Sequence, residues 1–169
     1  MELRTAAVLI GLAAAAAGFG DQLDVLDRLG GSPAGRGIAS VERVVDGDTI
    51  RVRLAGREET VRYIGLDTPE TKKPGTPVQC FGKRASAENA RLVEGERVRL
   101  VVGAEPRDRY GRLLAYVRRE ADDVFVNERL LRGGFARVLT IAPNDRHEAR
   151  FRVAEARARA ARTGLWGQC

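Results

Sequence analysis

Apolar residues recur along this chain at two distinct periods, and the switches between them outline its elements. Val41, Val44 and Val45 lead into Asp46-Gly47-Asp48, a turn signal. Ile50, Val52 and Leu54 then alternate with Arg51 and Arg53, the period of a half-buried strand. Ala55-Gly56-Arg57-Glu58 makes a hairpin connection, and Thr60 to Leu66 returns as a third strand. A loop rich in Lys, Pro and Gly covers 72–79, after which the Ala-rich spacing from Phe81 to Val93 predicts a helix ending near Gly95. Val98, Leu100 and Val102 alternate with Arg97 and Arg99 as a fourth strand, and Leu114 to Val117 gives a fifth. Val124 to Arg132 reads as a short helix stopped by Gly133-Gly134. Asn144-Asp145 followed by Glu148 reads as the capped start of a last helix running to about Arg162. His147, Phe151, Ala154 and Ala158 share one face of it.

Five short strands with a helix after the third and two after the fifth predict an α+β chain, a five-stranded OB-fold β-barrel with three helices. That domain occupies 38–169. Residues 21–37 lack periodicity and end in Gly, Ser and Pro, which makes them a linker. Residues 1–20 form a separate segment. Its apolar run from Ala6 to Phe19 is fourteen residues long, short for a membrane span but suited to a signal peptide, with small residues near Ala15 to Gly18 for cleavage. The sequence therefore predicts a signal peptide or N-terminal anchor and an exported protein, secreted or tethered to the outer face of the cell membrane. A buried Ala-rich helix is the alternative.

Composition changes this picture little. The chain has 169 residues, 44% hydrophobic and 31% charged, which fits one globular domain. Its net charge is +6, with 26 Arg against 3 Lys. Codon bias explains most of that Arg excess, yet a basic surface also concentrates polyanions. The two cysteines, Cys80 and Cys169, fit an exported chain in which they join, tying the Leu165-Trp166 tail to the domain and contributing roughly 4 kcal/mol in the chain-entropy view. Two unrelated thiols are the alternative. Without CxxC spacing they do not make a zinc site. Trp166 reads as a plug for the tail, and His147 as a structural residue at a helix start.

The candidate chemistry lies in two acidic runs, Asp46-Gly47-Asp48-Thr49 and Asp67-Thr68-Pro69-Glu70-Thr71, with Arg62 ahead of the second. Carboxylates beside hydroxyls can hold a hard cation, a further carboxylate can activate water, and an arginine can neutralise a phosphate. Either run alone is more often a turn. The first does not continue as an EF-hand loop, because no acidic residue or closing Glu follows in frame. Arg62 alone would be a solvated strand residue, Arg112 alone could pair with Asp108, and Tyr110 could be simple packing. The ordered set is what carries information.

That order closely resembles the micrococcal nuclease (thermonuclease) family. The matching runs are Asp46-Gly47-Asp48-Thr49, Arg62 with Asp67-Thr68-Pro69-Glu70-Thr71, and Asp108-Arg109-Tyr110-Gly111-Arg112 with Ala115-Tyr116. The likeness extends through Val126-Asn127-Glu128, Gly134-Phe135-Ala136, Pro143-Asn144 and His147-Glu148 to Leu165-Trp166, about residues 40 to 166. The resemblance implies an OB-fold nuclease domain over 38–169 that uses calcium to hydrolyse DNA and RNA, leaving 3'-phosphates. It implies Asp48 and Asp67 as calcium ligands, with the backbone carbonyl of Thr68. It implies Glu70 as general base, and Arg62 and Arg112 as the arginines that grip the scissile phosphate. Arg109 and Tyr110 would bind substrate, Arg109 standing where a well-known family member carries a lysine. The Cys80–Cys169 pairing recurs in exported relatives. A monomer without a stable protein partner is expected. The chain departs from the family at Val138-Leu139-Thr140-Ile141-Ala142, which lacks the tyrosines of the nucleotide pocket. A non-catalytic nucleic-acid-binding OB module is the alternative, but such modules are expected to lose the acidic ligands. A purely structural domain would not account for three acids and two arginines in register.

Overall fold

A computed structural model describes residues 35–71, 75 and 77–169. The segment read as a signal peptide or anchor, and nearly all of the linker, lie outside the described residues. Five strands close a barrel: β1 (Arg36–Asp46), β2 (Thr49–Leu54), β3 (Arg57–Tyr63), β5 (Arg97–Arg107) and β6 (Leu113–Arg119), in the order β1-β2-β3-β6-β5. All neighbours are antiparallel except β3 and β6, which run parallel with Val61 opposite Leu113 and Tyr63 opposite Ala115. The long first strand makes closure possible. Its first half pairs with β5 and its second half with β2, and register shifts near Val41 and Val44 bend it between the two partners. The alternation read from Ile50, Val52 and Leu54 is the barrel interior, where each is at most 2% exposed.

Three helices of more than one turn follow the expected order: α1 (Gly82–Val93), α2 (Val126–Arg132) and α3 (Glu148–Ala160). A single turn, α4 (Leu165–Gln168), completes the described chain, and among the described residues no helix is long and apolar enough to cross a membrane. Phe151, Ala154 and Ala158 on α3 are buried as their spacing predicted.

Two expectations need correction. The third strand does not run unbroken from Thr60 to Leu66. It leaves the barrel at Ile64, and β4 (Gly65–Asp67) pairs instead with β7 (Arg137–Leu139) in a separate two-stranded sheet. Gly65 permits the departure: its φ is +84°, and a Cβ there would stand 2.5 Å from the Phe151 ring. A hydrophobic period cannot register such a break, because Leu66 stays buried on either path. The capped start at Asn144-Asp145 also fails. The helix begins at Glu148 after His147, and Asn144 turns inward instead. Its Oδ1 accepts from the Glu105 amide at 3.0 Å and its Nδ2 donates to the Glu105 carbonyl at 2.9 Å, completing backbone pairing that no strand supplies there.

Two fully buried asparagines position the functional loops. Asn89 on α1 accepts from the Tyr63 hydroxyl at 2.9 Å and donates to the Asp46 carbonyl at 3.1 Å, fixing the turn that follows β1. Asn127 on α2 accepts from the Val117 amide and donates to the Ile64 carbonyl, each at 2.9 Å, at the point where the chain departs for β4. A buried amide without partners would be costly, so these pairings strongly specify where both loops sit.

Candidate active site

The two acidic runs meet because β2 and β3 form a hairpin that places Thr49 opposite Arg62. Asp48, in the turn before β2, is 1% exposed. Its Oδ1 accepts from Arg62 Nη1 at 2.6 Å and from the Thr49 hydroxyl at 3.0 Å, and its Oδ2 accepts from the Thr68 amide at 3.1 Å. Arg62 extends its other nitrogen, Nη2, to Asp67 Oδ1 at 2.7 Å. One guanidinium thus bridges a buried carboxylate and an exposed one, each from a different acidic run.

Gly47 allows this junction to close. A Cβ on it would lie 2.6 Å from Thr68 Oγ1 and 2.8 Å from Thr68 Cβ, so the two runs touch only because position 47 has no side chain.

The electrostatics follow from burial. Desolvation pushes the Asp48 carboxyl from the ordinary 3.8 up to about 7; Arg62 opposes that rise and Asp46 adds to it. Desolvation alone would lower the Arg62 value, but Asp48 and Asp67 outweigh it and hold the guanidinium above its ordinary value.

Glu70 follows at the end of the second run. Its amide donates to Gln79 Oε1 at 2.8 Å, its carbonyl accepts from the Gln79 amide at 2.9 Å, and its Oε1 accepts from the Thr71 amide at 2.8 Å. Arg109, Tyr110 and Arg112 occupy the loop between β5 and β6, with Arg109 4.8 Å and Arg112 5.4 Å from the centre of the Tyr110 ring. Arg112 does pair with Asp108, Nε to Oδ2 at 2.7 Å, and the same carboxylate accepts from the amides of Tyr110 and Arg112. Asp108 therefore braces the loop and holds Arg112 at the cleft wall, so the ion pair does not take Arg112 out of the cleft.

These elements enclose a cleft of about 1020 Å³ whose walls include Arg62, Glu70, Arg109, Tyr110 and Arg112. Asp48 sits behind Arg62, and Asp67 is exposed on β4. Cys80 and Cys169 form a disulfide, joining the chain two residues before α1 to the C-terminal tail. His147 lies among the rings of Tyr116, Phe125 and Phe151, and Trp166 packs under Arg137 and Arg159.

Sequence reasoning missed Glu59 and Arg107. They form a two-pronged pair, both contacts at 3.1 Å, and Arg107 also donates to the Gly111 carbonyl at 2.7 Å, steadying the loop that carries Arg112. The strand pattern hinted at Glu59, which occupies an inward position on β3 beside Val61 and Tyr63. Where Tyr residues were absent from 138–142, Leu139 and Ile141 line the cleft instead and remain exposed.

The profile of the family described as "Staphylococcal nuclease homologue" matches residues 60–168. The chain is 44% identical to the thermonuclease of Staphylococcus intermedius over 126 residues, covering 75% of this chain and 74% of that protein. It is 42% identical to the thermonuclease of Staphylococcus hyicus over 126 residues, with 75% and 73% covered. It is also 42% identical to endonuclease YncB of Bacillus subtilis over 131 residues, 76% of this chain but 61% of the relative. Barrel, site order and these likenesses agree, and the chain belongs to the staphylococcal nuclease family.

Proposed function

We propose that this chain is a calcium-dependent phosphodiesterase that hydrolyses DNA and RNA by attack of water, cleaving the 5'-O–P bond and leaving 3'-phosphates. That it is a nuclease, and so a hydrolase of ester bonds, follows from its family and from its thermonuclease and endonuclease relatives. The observation that carries the finer reading is the Arg62 fork. It joins the two carboxylates proposed as ligands and faces the same cleft as Glu70 and Arg112.

The donor set fits calcium. Asp48, Asp67 and the Thr68 carbonyl are all hard oxygen donors, and waters can complete a flexible shell. The reluctance of Asp48 to ionise in its buried setting is the electrostatic strain that a bound cation would relieve. When bound, the cation would act as a Lewis acid on a non-bridging phosphate oxygen.

The protein's own groups activate the water and bind the transition state, and the leaving 5'-oxygen takes its proton from Arg112 or from water. Glu70 takes a proton from the attacking water. Arg62 and Arg112 donate to the equatorial oxygens as their charge grows, so they bind the transition state more tightly than the substrate. To grip a phosphate, Arg62 exchanges its exposed partner Asp67, since Asp48 is buried behind it. Arg109 and Tyr110 bind a neighbouring phosphate. The apolar N-terminal run and the disulfide support export, with the chain secreted or tethered outside the cell.

The test is cleavage of single-stranded DNA, duplex DNA and RNA by the full chain, with calcium or with excess chelator. Calcium-dependent cleavage leaving 3'-phosphates, lost in Glu70→Gln, is expected. Retention of nucleic acid without cleavage under both conditions would replace this reading with that of a binding module.

A further inference from the structure

We propose that Gln79 is the positioning residue of Glu70 and that the Cys80–Cys169 bridge is what holds Gln79 in place. The inference rests on Glu70 acting as the base. Gln79 meets Glu70 twice in opposite senses: its side-chain oxygen accepts the Glu70 amide at 2.8 Å, and its own amide donates to the Glu70 carbonyl at 2.9 Å. The Glu70 peptide is thereby clamped on both sides, while the Thr71 amide orients the carboxylate itself. Rotation about the backbone at Glu70 would break both contacts together.

Gln79 is exposed and lies in a loop, so two surface hydrogen bonds alone would be a weak restraint. Its neighbour supplies the strength. Cys80 is covalently joined to Cys169, across a separation of 89 residues. The tail is held a second time, by Arg84 on α1 to the Gln168 side chain. The Gln79 carbonyl accepts from the Gly82 amide at 3.0 Å, seating the residue on the start of α1. Glu70 is therefore tied through Gln79 to a helix, a disulfide and the C-terminal turn, none of which lines the cleft. Pre-organising the base in this way matters because small misplacements of a catalytic group cost disproportionate rate.

The experiment compares kcat and KM of the full-length oxidised chain with those of Gln79→Met, Gln79→Glu, the double variant Cys80→Ser/Cys169→Ser, the three-site combination with Gln79→Met, and Glu70→Gln. Circular dichroism at the assay temperature confirms that each is folded. Gln79→Met keeps the length but loses the acceptor, and is expected to lower kcat about tenfold or more with KM within about twofold. Gln79→Glu keeps an acceptor and restores most of kcat. The serine double variant is expected to show a similar loss, as is the natural chain after a dithiol reductant converts the bridge to two thiols. Adding Gln79→Met to the serine variant should then cost little more, because both act through one restraint. Natural kcat in folded Gln79→Met, while Glu70→Gln is inactive, overturns the positioning role and leaves the nuclease reading standing. Additive losses overturn the link between bridge and glutamine. Full activity in Glu70→Gln overturns both the inference and the assignment of the base.

Discussion

Arg62 Nη1 lies 2.6 Å from Asp48 Oδ1, and the carboxylate it meets is 1% exposed. Among the described residues Arg62 is the cation paired with that buried acid, and burial still outweighs it, leaving Asp48 at about 7. The carboxylate proposed as a calcium ligand thus sits where its charge costs stability.

Asp48→Asn should therefore stabilise the protein while abolishing hydrolysis. The folded value of about 7 stands above the ordinary 3.8, so between them the folded chain holds the extra proton. Stability of the natural chain then falls as pH rises through that window, and asparagine, with nothing to titrate, escapes the fall. At about 1.4 kcal/mol per unit the whole shift corresponds to roughly 4 kcal/mol. Loss of the charged pair with Arg62 offsets part of it, and a gain on the order of 2 kcal/mol is expected at pH 8 with chelator present. Urea unfolding of both chains at pH 4 and pH 8 checks this; an equal difference at the two pH values would contradict it.

Gly47→Ala should damage the site without touching a reacting group. The added methyl meets three atoms of Thr68 at 2.6 to 2.8 Å, so the second acidic run must move away from the first. Overpacking of this kind costs roughly 1–3 kcal/mol. Calorimetric calcium affinity is expected to fall at least tenfold, because Asp67 and the Thr68 carbonyl, the proposed ligands, move together.

Asp108→Ala removes the acceptor of the Arg112 guanidinium and of two loop amides at once. Steady-state kinetics on a defined oligonucleotide should show kcat reduced about tenfold, against about a hundredfold for Arg112→Lys, which loses the planar fork itself. A larger effect from Asp108→Ala than from Arg112→Lys would mean that the loop, not the arginine, is what matters.

His147 gives stability a dependence on acid. Burial among aromatic rings lowers its value from the ordinary 6.5, and the positive charges of Arg146, Arg150 and Arg118 lower it further. The contribution of the neutral ring is complete above 6.5 and is lost as pH falls below it, where the unfolded chain takes up the proton first. Thermal melts from pH 8 to pH 5 should fall more steeply in the natural chain than in His147→Gln; parallel curves would refute the assignment.

The barrel was legible because its strands are amphipathic and bury one face each; Ile50, Val52 and Leu54 announced it. The candidate site was legible as an ordered set of residue types around Asp48, Arg62, Asp67 and Arg112. The pairing of β4 with β7 was not, since it depends on a backbone turn at Gly65 and on the Phe151 ring, 86 positions away in the chain. Asn144 imitated a helix cap because its amide serves a cap and a backbone mimic equally well, and only the position of Glu105 decides between them.

The sequence by itself determined the barrel's apolar pattern, the family and the identity of the candidate chemical groups, since these depend on residue type and spacing along the chain. Tertiary structure alone decided how those groups are held. It buried Asp48 behind Arg62, set Asp108 to aim Arg112, put Glu59 under Arg107 and brought Gln79 to Glu70. Each of these relationships joins a charge or amide to a partner whose distance is set by chain closure and desolvation, and neither is a property of any stretch of sequence read alone.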